Sequence, residues 1–594
     1  MYKTIRELFE TSDYDFRTFA NPDDPLRNLF DEWVPYYRMK WAIVRALQPK
    51  NILEIGVRYG YSTRTFLDAS PEASYLGIDL DVITYGGTPG AINWAKHISE
   101  GRKAEFLIGN SQDMDRFPGG TYDLIHVDGQ QDEDGFFRNG QKALRQGSYI
   151  LIDSYFWTDA TFEATNVLLR QYRALIDFYL VIPGYAGDLL IKTSDGARHA
   201  YAKVQNPSSS QDLQDTYTSD YYLTDCGGNE AYRRSGGKSL EDQRLGAMAA
   251  FAKLRPKGKF LDLGCGRGEL AYAFAAKGAT GTAIDYSPDA IKLSEQCFDG
   301  EPELRKRVEL ICGDAITAAW PEKPELATAG DLVEHLTPSE LERLYERLSK
   351  NMAPDGLFIV HTFPNLWFYK YGYPKRRKAA MASGKYITPE PRSLYEQLMH
   401  INEQSPRVLR DQLKRHFAHV IVWLGMPEDP LGSLDERKPL SYFHTARDVF
   451  AVASNAPIDL TEIQADLRMQ AIPVPAPGSV NIELLQAPIS AGAGSRFTVK
   501  VSLSNHTNHQ FSSLMPKPIY FAYHWLDAAT GCEAIEGGRT PLPASVRPGD
   551  TVSAEMGIDA PAQQGNYRLR VTLVQEWVAW WNPSLQSCAD ILIH

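Results

Sequence analysis

The chain has 594 residues, too many for one hydrophobic core, so three or four domains are expected. Its 43% apolar and 23% charged residues are ordinary for a soluble globular protein, and the net charge of −12 argues against a general nucleic-acid-binding surface. The opening MYKTIRELFETSDYDF lacks the apolar core of a secretory signal, no stretch approaches the length of a membrane span, and the six cysteines lack C-x-x-C spacing. That pattern fits reduced thiols in a cytoplasmic protein, although Cys532 and Cys588 share the last domain.

Residues 1–37 read as a helical segment, with Leu26, Leu29, Phe30 and Trp33 on one helix face for packing on the next domain. Residues 38–195 then supply seven apolar runs, NILEIG, SYLGID, EFLIGN, YDLIHVDG, SYILIDS, FYLVIPG and DLLIK. Helix-length segments separate most of them, which predicts one α/β sheet. Residues 196–215, with Pro207 and the serines that follow it, read as a linker. Residues 216–465 repeat the seven-strand pattern as KFLDLG, GTAIDY, VELICGD, ELATAGDL, GLFIVHT, HVIVWLG and DVFAVAS. Gly56, Asp79, Asn110, Asp128 and Asp153 align with Gly264, Asp285, Asp314, Asp331 and His361, so a whole domain is repeated. After a Pro-rich linker at 466–478, residues 479–594 alternate apolar and polar in short runs between Gly, Pro and Asn turns. That predicts an antiparallel, immunoglobulin-like β-sandwich.

The stretch 259–288 carries the chemistry of the second repeat. Asp262, Gly264, Gly266 and Gly268 form an acid-and-glycine turn between a strand and a helix, and Asp285 follows Gly264 by about 20 residues, the gap that sets a carboxylate on a ribose diol. The spacing is not the G-x-G-x-x-G of dinucleotide sites, and no Lys-Ser/Thr pair follows to make a phosphate loop. An acid before the turn repels phosphate and suits a ligand bearing an ammonium and a sulfonium. The run DLGCGRGE resembles motif I of the class I S-adenosylmethionine (SAM) methyltransferases. The resemblance implies two tandem Rossmann-like domains plus the sandwich, with SAM as cofactor. In the second domain it implies that Asp262 and the three glycines hold the methionine part, Asp285 the ribose, and Asp314 with Ala315 the adenine. Asp314 could instead be a helix N-cap, but strand, acid and loop recur in order, which favours cofactor contact.

After the fourth strand of this repeat, Asp331, Glu334 and His335 fall at i, i+3 and i+4. The run resembles the E-x-x-E-H element of some metal-dependent O-methyltransferases, which implies Asp331, Glu334 and His335 as ligands of Mg²⁺ or another divalent cation. Two other readings stand beside it: Glu334 and His335 orient a helix, or His335 is the general base. His361 and Asn365, with Trp367, Phe368, Tyr369, Tyr371 and Tyr373, stand where an acceptor would lie. The insertion that follows, to about residue 406, reads as an acceptor loop or lid and holds the dense basic run Lys375–Lys378 and then His400. Upstream, 221–245 is expected to fold over the cofactor.

In the first repeat, EIGVRYGYS resembles motif I of the macrocin and cephalosporin-type O-methyltransferases. That resemblance implies cofactor contacts from Glu54, Gly56, Gly60, Asp79, Ser111 and Gln112, and a catalytic and metal role for Asp128 with Asp153. Gln131 stands where that branch places a histidine, and Ser154 where it places a second acid, so cofactor binding is expected here and catalysis is left open. The last domain resembles sandwich modules of bacterial polysaccharide-biosynthesis proteins, with Trp577, Trp580 and Trp581, and Arg539 nearby, read either as a face for stacking sugars or as core and interface residues. Together the resemblances imply a methyltransferase of sugar hydroxyls in O-antigen-like polysaccharide. It would be cytoplasmic, peripheral to the inner membrane beside other assembly proteins, without nucleic acid, and either monomeric or a homo-oligomer. The rivals are a methyltransferase of a small metabolite or lipid-linked sugar, and a glycan-binding scaffold.

Overall fold

The computed structural model describes residues 1–83, 87–129, 132–198, 209–250, 258–426, 429–434, 437–581 and 587–594. The chain forms two compact units, Met1–Asn206 with Pro374–Leu398, and Pro207–Tyr373 with Met399–His594.

In the first unit the strands are β1 (Asn51–Ile55), β2 (Ser74–Asp79), β3 (Ala104–Ile108), β4 (Tyr122–Val127), β5 (Gly147–Ile152), β6 (Ile176–Ile182) and β7 (Asp188–Thr193). They form one sheet in the order β3-β2-β1-β4-β5-β7-β6. β1 to β5 run parallel, and β7 is antiparallel to both its neighbours. Ile52, Leu53, Leu124, Ile125, Ile150, Leu151 and Leu190 are fully buried, as continuous apolar runs in a sheet covered on both faces should be. The connections leave β1 and β4 in opposite directions, which opens a crevice at their carboxyl ends.

The helix before the sheet runs Phe30–Leu47, across the residue-37 boundary read from sequence. Leu26 lies outside it and is 40% exposed, while Phe16, Phe30, Tyr37 and Tyr61 pack ring on ring. The segment expected as a lid over the second repeat's acceptor instead belongs, over Pro374–Leu398, to the first unit. There Gln171 donates to the Glu390 carbonyl, Arg145 donates to Gln397 at 2.7 Å, and Tyr386 donates to Asp134 at 3.3 Å. These bonds pin the segment to the helices Glu133–Gln146 and Asp159–Gln171. Arg377 of the basic run is spent on Asp134 and on the Ile387 carbonyl.

The second unit repeats the sheet with β8 (Lys259–Leu263), β9 (Thr280–Asp285), β10 (Val308–Cys312), β11 (Leu326–Gly330), β12 (Leu357–Thr362), β13 (His419–Gly425) and β14 (Asp448–Ser454), ordered β10-β9-β8-β11-β12-β14-β13. Its last part is all β. β15 (Val480–Gln486), β17 (Arg496–Asn505) and β20 (Thr551–Asp559) make one sheet; the other carries β16 (Ser490–Ala491), β18 (Ile519–Asp527), β19 (Glu533–Pro541), β21 (Gly565–Gln575), β22 (Ala579–Trp580) and β23 (Ser587–Ile593). Val499, Val501, Phe521, Trp525, Val571 and Trp581 share the core of this domain. Of the three tryptophans expected to stack sugars, Trp581 is therefore structural. Trp577 is 68% exposed, and Trp580 lies under the Arg539 guanidinium. All six cysteines are free. No helix among the described residues is long and apolar enough to cross a membrane.

Candidate active sites

β8 delivers Asp262 and then a turn whose glycines all have positive φ, +67° at Gly264, +52° at Gly266 and +85° at Gly268. A side chain at any of the three would be strained, and the turn leaves bare backbone facing the crevice. Asp285, at the end of β9, accepts hydrogen bonds from the Gly266 and Ser287 N–H groups, both at 2.9 Å, so the acid also shapes the turn. Asp262 accepts from the Thr328 hydroxyl at 2.6 Å through one carboxylate oxygen; the other is buried and has no hydrogen-bond partner among the described residues. Burial pushes Asp262 up to about 7 and Asp285 up to about 6. A buried carboxylate oxygen left unpaired is costly unless a donor arrives, and the ammonium of SAM is such a donor.

These groups line a cavity of about 120 Å³ together with Asp314 and Ala315. Tyr217, Tyr221 and Tyr222, from the segment before β8, line it as well. Asp314 also accepts from the Ile316 N–H at 2.7 Å, so it both caps a turn and borders the cavity. Gly268 is not on the wall: a Cβ there would lie 2.9 Å from the Ser294 Cα, so its role is close helix packing.

The residues after β11 also line the cavity. Asp331 lines it, with φ +54°, but its carboxylate is taken by the Arg244 guanidinium and by His361 Nδ1 at 2.6 Å. Burial alone would raise Asp331; Arg244 and His361 outweigh it and hold the carboxyl below the usual range. His361 is not at an acceptor position. It is fully buried behind Asp331, where burial is outweighed by Asp331 and Asp448 and the imidazole rises to about 9. Asn365 is likewise buried, donating to the Phe443 and Ala446 carbonyls.

His335 faces the cavity, its Nδ1 3.0 Å from the Met399 carbonyl, and burial with the neighbouring His400 lowers it to about 3, so the ring is neutral. With Nδ1 donating to that carbonyl, Nε2 carries the free lone pair. Glu334 accepts from the Thr362 hydroxyl at 2.8 Å, and burial beside Asp331 lifts it to about 7. Glu334, His335 and His400 bring one ligand atom each to within 4.8 Å of one another. Asp331, expected in this set from its spacing, is not part of it; His400, from the end of the insertion, is.

In the first unit a cavity of about 500 Å³ is lined by Gly56, Asp79, Ser111, Asp128 and Asp153, with Trp33, Tyr36, Trp157 and Tyr185 on its walls. Asp79 accepts from the Val57 and Arg58 N–H groups at 2.6 and 2.9 Å, as Asp285 does in the second repeat. Three residues expected to touch a cofactor lie off the wall. Glu54 is fully buried, accepting from Ser62, Thr63 and Tyr75 and facing His126 Nδ1 at 2.9 Å. Gly60 caps the next helix, where a Cβ would meet Ala95 at 2.5 Å. Gln112 turns its amide to the Gly135 carbonyl at 3.3 Å. Gln131 lies outside the described residues.

His126, Asp128 and Asp153 also bring ligand atoms within 4.8 Å of one another. Sequence spacing missed what stands among them. Lys40 Nζ lies 2.7 Å from His126 Nε2 and 2.8 Å from Asp153 Oδ1, with the Asp188 carboxylate at 3.6 Å. The Lys40 ammonium outweighs burial and holds Asp153 below the usual carboxylate range. Asp128 is pushed up, by burial and by Asp153.

Two family models, each described as a methyltransferase domain, match residues 53–155 and 241–416. Among curated proteins, the mitochondrial ubiquinone biosynthesis O-methyltransferase of Schizosaccharomyces pombe is 32% identical over 104 residues, 18% of this chain and 37% of that protein. The ubiquinone biosynthesis O-methyltransferase of Burkholderia orbicola is 26% identical over 196 residues, 32% of this chain and 78% of that protein. Among solved structures, the S-adenosylhomocysteine (SAH)-bound Podospora anserina methyltransferase PaMTH1 shares 21% identity at a TM-score of 0.24, over 33% of this chain and 89% of that one. The methyltransferase domain of bacterial CtHen1-C shares 18% at 0.27, over 37% and 100%. The chain carries two methyltransferase domains of the SAM-dependent type, each built on its own seven-stranded sheet.

Proposed function

We propose that the second domain transfers the methyl group of SAM to an acceptor hydroxyl beside His335. The observation that carries this is a single cavity lined both by Asp262, with its orphaned oxygen and glycine turn, and by His335. In the step, the oxygen lone pair bonds the methyl carbon and the acceptor O–H gives its proton to His335 Nε2. Burial makes this imidazole a weak base in the free protein, and it gains its charge only as the sulfonium loses its own. The C–S bond breaks with its electrons on sulfur, leaving neutral SAH. Alignment of donor and acceptor supplies much of the acceleration. Glu334, His335 and His400 also fit a divalent cation, being two imidazoles and a buried carboxylate within 4.8 Å of one another. Bound there, such an ion acidifies an acceptor hydroxyl.

For the acceptor, the glycan reading is supported by the sandwich's exposed Trp577 and by Trp580 under Arg539. A small-molecule acceptor is the second reading, supported by relatives named for ubiquinone biosynthesis and by the small cavity. Labelled methyl transfer from SAM to glycans and to ubiquinone-biosynthesis intermediates, with Mg²⁺ or with EDTA, separates them. His335→Ala should abolish transfer while SAH still binds; unchanged transfer removes the assignment.

A further inference from the structure

The first domain brings together groups suited to a metal ion, and a side chain of its own stands among them. His126, Asp128 and Asp153 have the spacing of a three-ligand ion site. The Lys40 ammonium already contacts two of the three, so an ion there would share His126 Nε2 and Asp153 Oδ1 with a fixed positive charge. The ammonium cannot swing away. Lys40 is 0% exposed in the middle of the helix Phe30–Leu47, with the Tyr36 ring 4.6 Å from its Nζ.

Its surroundings are arranged as around a fixed cation. His126 presents one nitrogen to Lys40 while Glu54 holds the other, and the Tyr36 hydroxyl donates to the same Asp153 oxygen at 2.7 Å. Asp188 adds a further carboxylate from the start of β7. The second domain uses a related device differently. Arg244, from the helix before β8, pairs with Asp331, which is not one of the Glu334, His335 and His400 group.

We propose that the first domain is a metal-free binding site for an S-adenosyl ligand, in which the Lys40 ammonium takes the place of a divalent cation. Lys40 fixes His126 and Asp153, and Asp128 faces the ligand cavity. The aromatic walls beside Asp128 and Asp153 leave room for a second, planar molecule next to the cofactor. The proposal rests on the match of residues 53–155 to a methyltransferase domain, and it stands or falls independently of the chemistry assigned to His335.

The test uses the full chain with the second site weakened by Asp262→Asn and His335→Gln, and counts SAH binding as the first site's only where a further Asp79→Ala removes it. In this background SAH titrated by calorimetry should bind, with an affinity unchanged by EDTA, and Mn²⁺ followed by electron paramagnetic resonance should not bind at the first site. Adding Lys40→Gln should create one Mn²⁺ site, which Asp153→Asn then removes. A Mn²⁺ ion bound with Lys40 in place and lost in Asp153→Asn overturns the proposal. So does a tenfold loss of SAH affinity in EDTA, an absence of SAH binding, or a folded Lys40→Gln chain that gains no Mn²⁺. If Lys40→Gln does not fold, the titrations of the Lys40-containing chain decide.

Discussion

Asp262 carries most of the case for the ligand's identity. A phosphate would be repelled by this buried acid, whereas an ammonium would supply the hydrogen bond that one of its oxygens lacks. Because burial lifts this carboxyl to about 7, it is largely protonated in the free protein below that pH. The ligand ammonium needs the ionised form, so SAH affinity should fall as pH drops, by up to about tenfold per unit below 7. Asp262→Asn should weaken binding by roughly 10- to 100-fold, the worth of a hydrogen bond to a charged group, and flatten that pH dependence. Calorimetry from pH 5.5 to 8.5, in a chain whose first site is disabled by Asp79→Ala, checks both. An affinity constant across that range would separate Asp262 from the ammonium.

The elements explain which parts of the sites could be read from sequence. The glycine turns and the acids closing β2 and β9 were legible because one strand, one turn and the next strand set their geometry locally. Gly60 and Gly268 carry the same signal for a different reason, since each lets a helix approach its neighbour. Lys40 and Arg244 were not legible as site residues, because their targets lie at distant strand ends and only the assembled sheet brings them together. The one available trace was a lysine seven residues after Trp33, on the stripe taken to be buried. His400 was visible only as one polar residue in an insertion. His361 misled because alternation along β12 does not say that Asp331 stands in front of it. The Arg244–Asp331 pair is only partly buried, so breaking it from one side costs less than the about 3–5 kcal/mol of a buried pair. Arg244→Gln should therefore lower the second unit's calorimetric transition by roughly 2–4 °C, at about 2 cal/mol/K of unfolding entropy per residue. A transition moved by less than a degree would show that Asp331 does not depend on Arg244.

At the scale of the molecule, the sandwich is bound into the second methyltransferase domain. Lys277 has a side chain only 2% exposed; it donates to the Ser545 carbonyl and lies 3.2 Å from the Asp550 carboxylate, both in the sandwich. Lys238 pairs with Glu555 at 2.9 Å, and Lys500 with Glu301. Burial lowers the Lys277 ammonium, with Asp550 opposing it, so this lysine tolerates its position only while the sandwich supplies acceptors. Asp550→Ala should accordingly destabilise the second domain more than Asp590→Ala, whose ion pair with Arg568 is exposed. The expected difference is about 2 kcal/mol or more, because the exposed pair is solvent-screened and contributes little. A chain ending at residue 478 should then unfold its second sheet at lower temperature and recover stability in part when Lys277→Met removes the stranded ammonium. Differential scanning calorimetry of the full chain, the shortened chain and the shortened Lys277→Met chain measures this. Recovery would mean that the sandwich stabilises the catalytic domain by pairing its buried charge, whatever else that face of the protein binds.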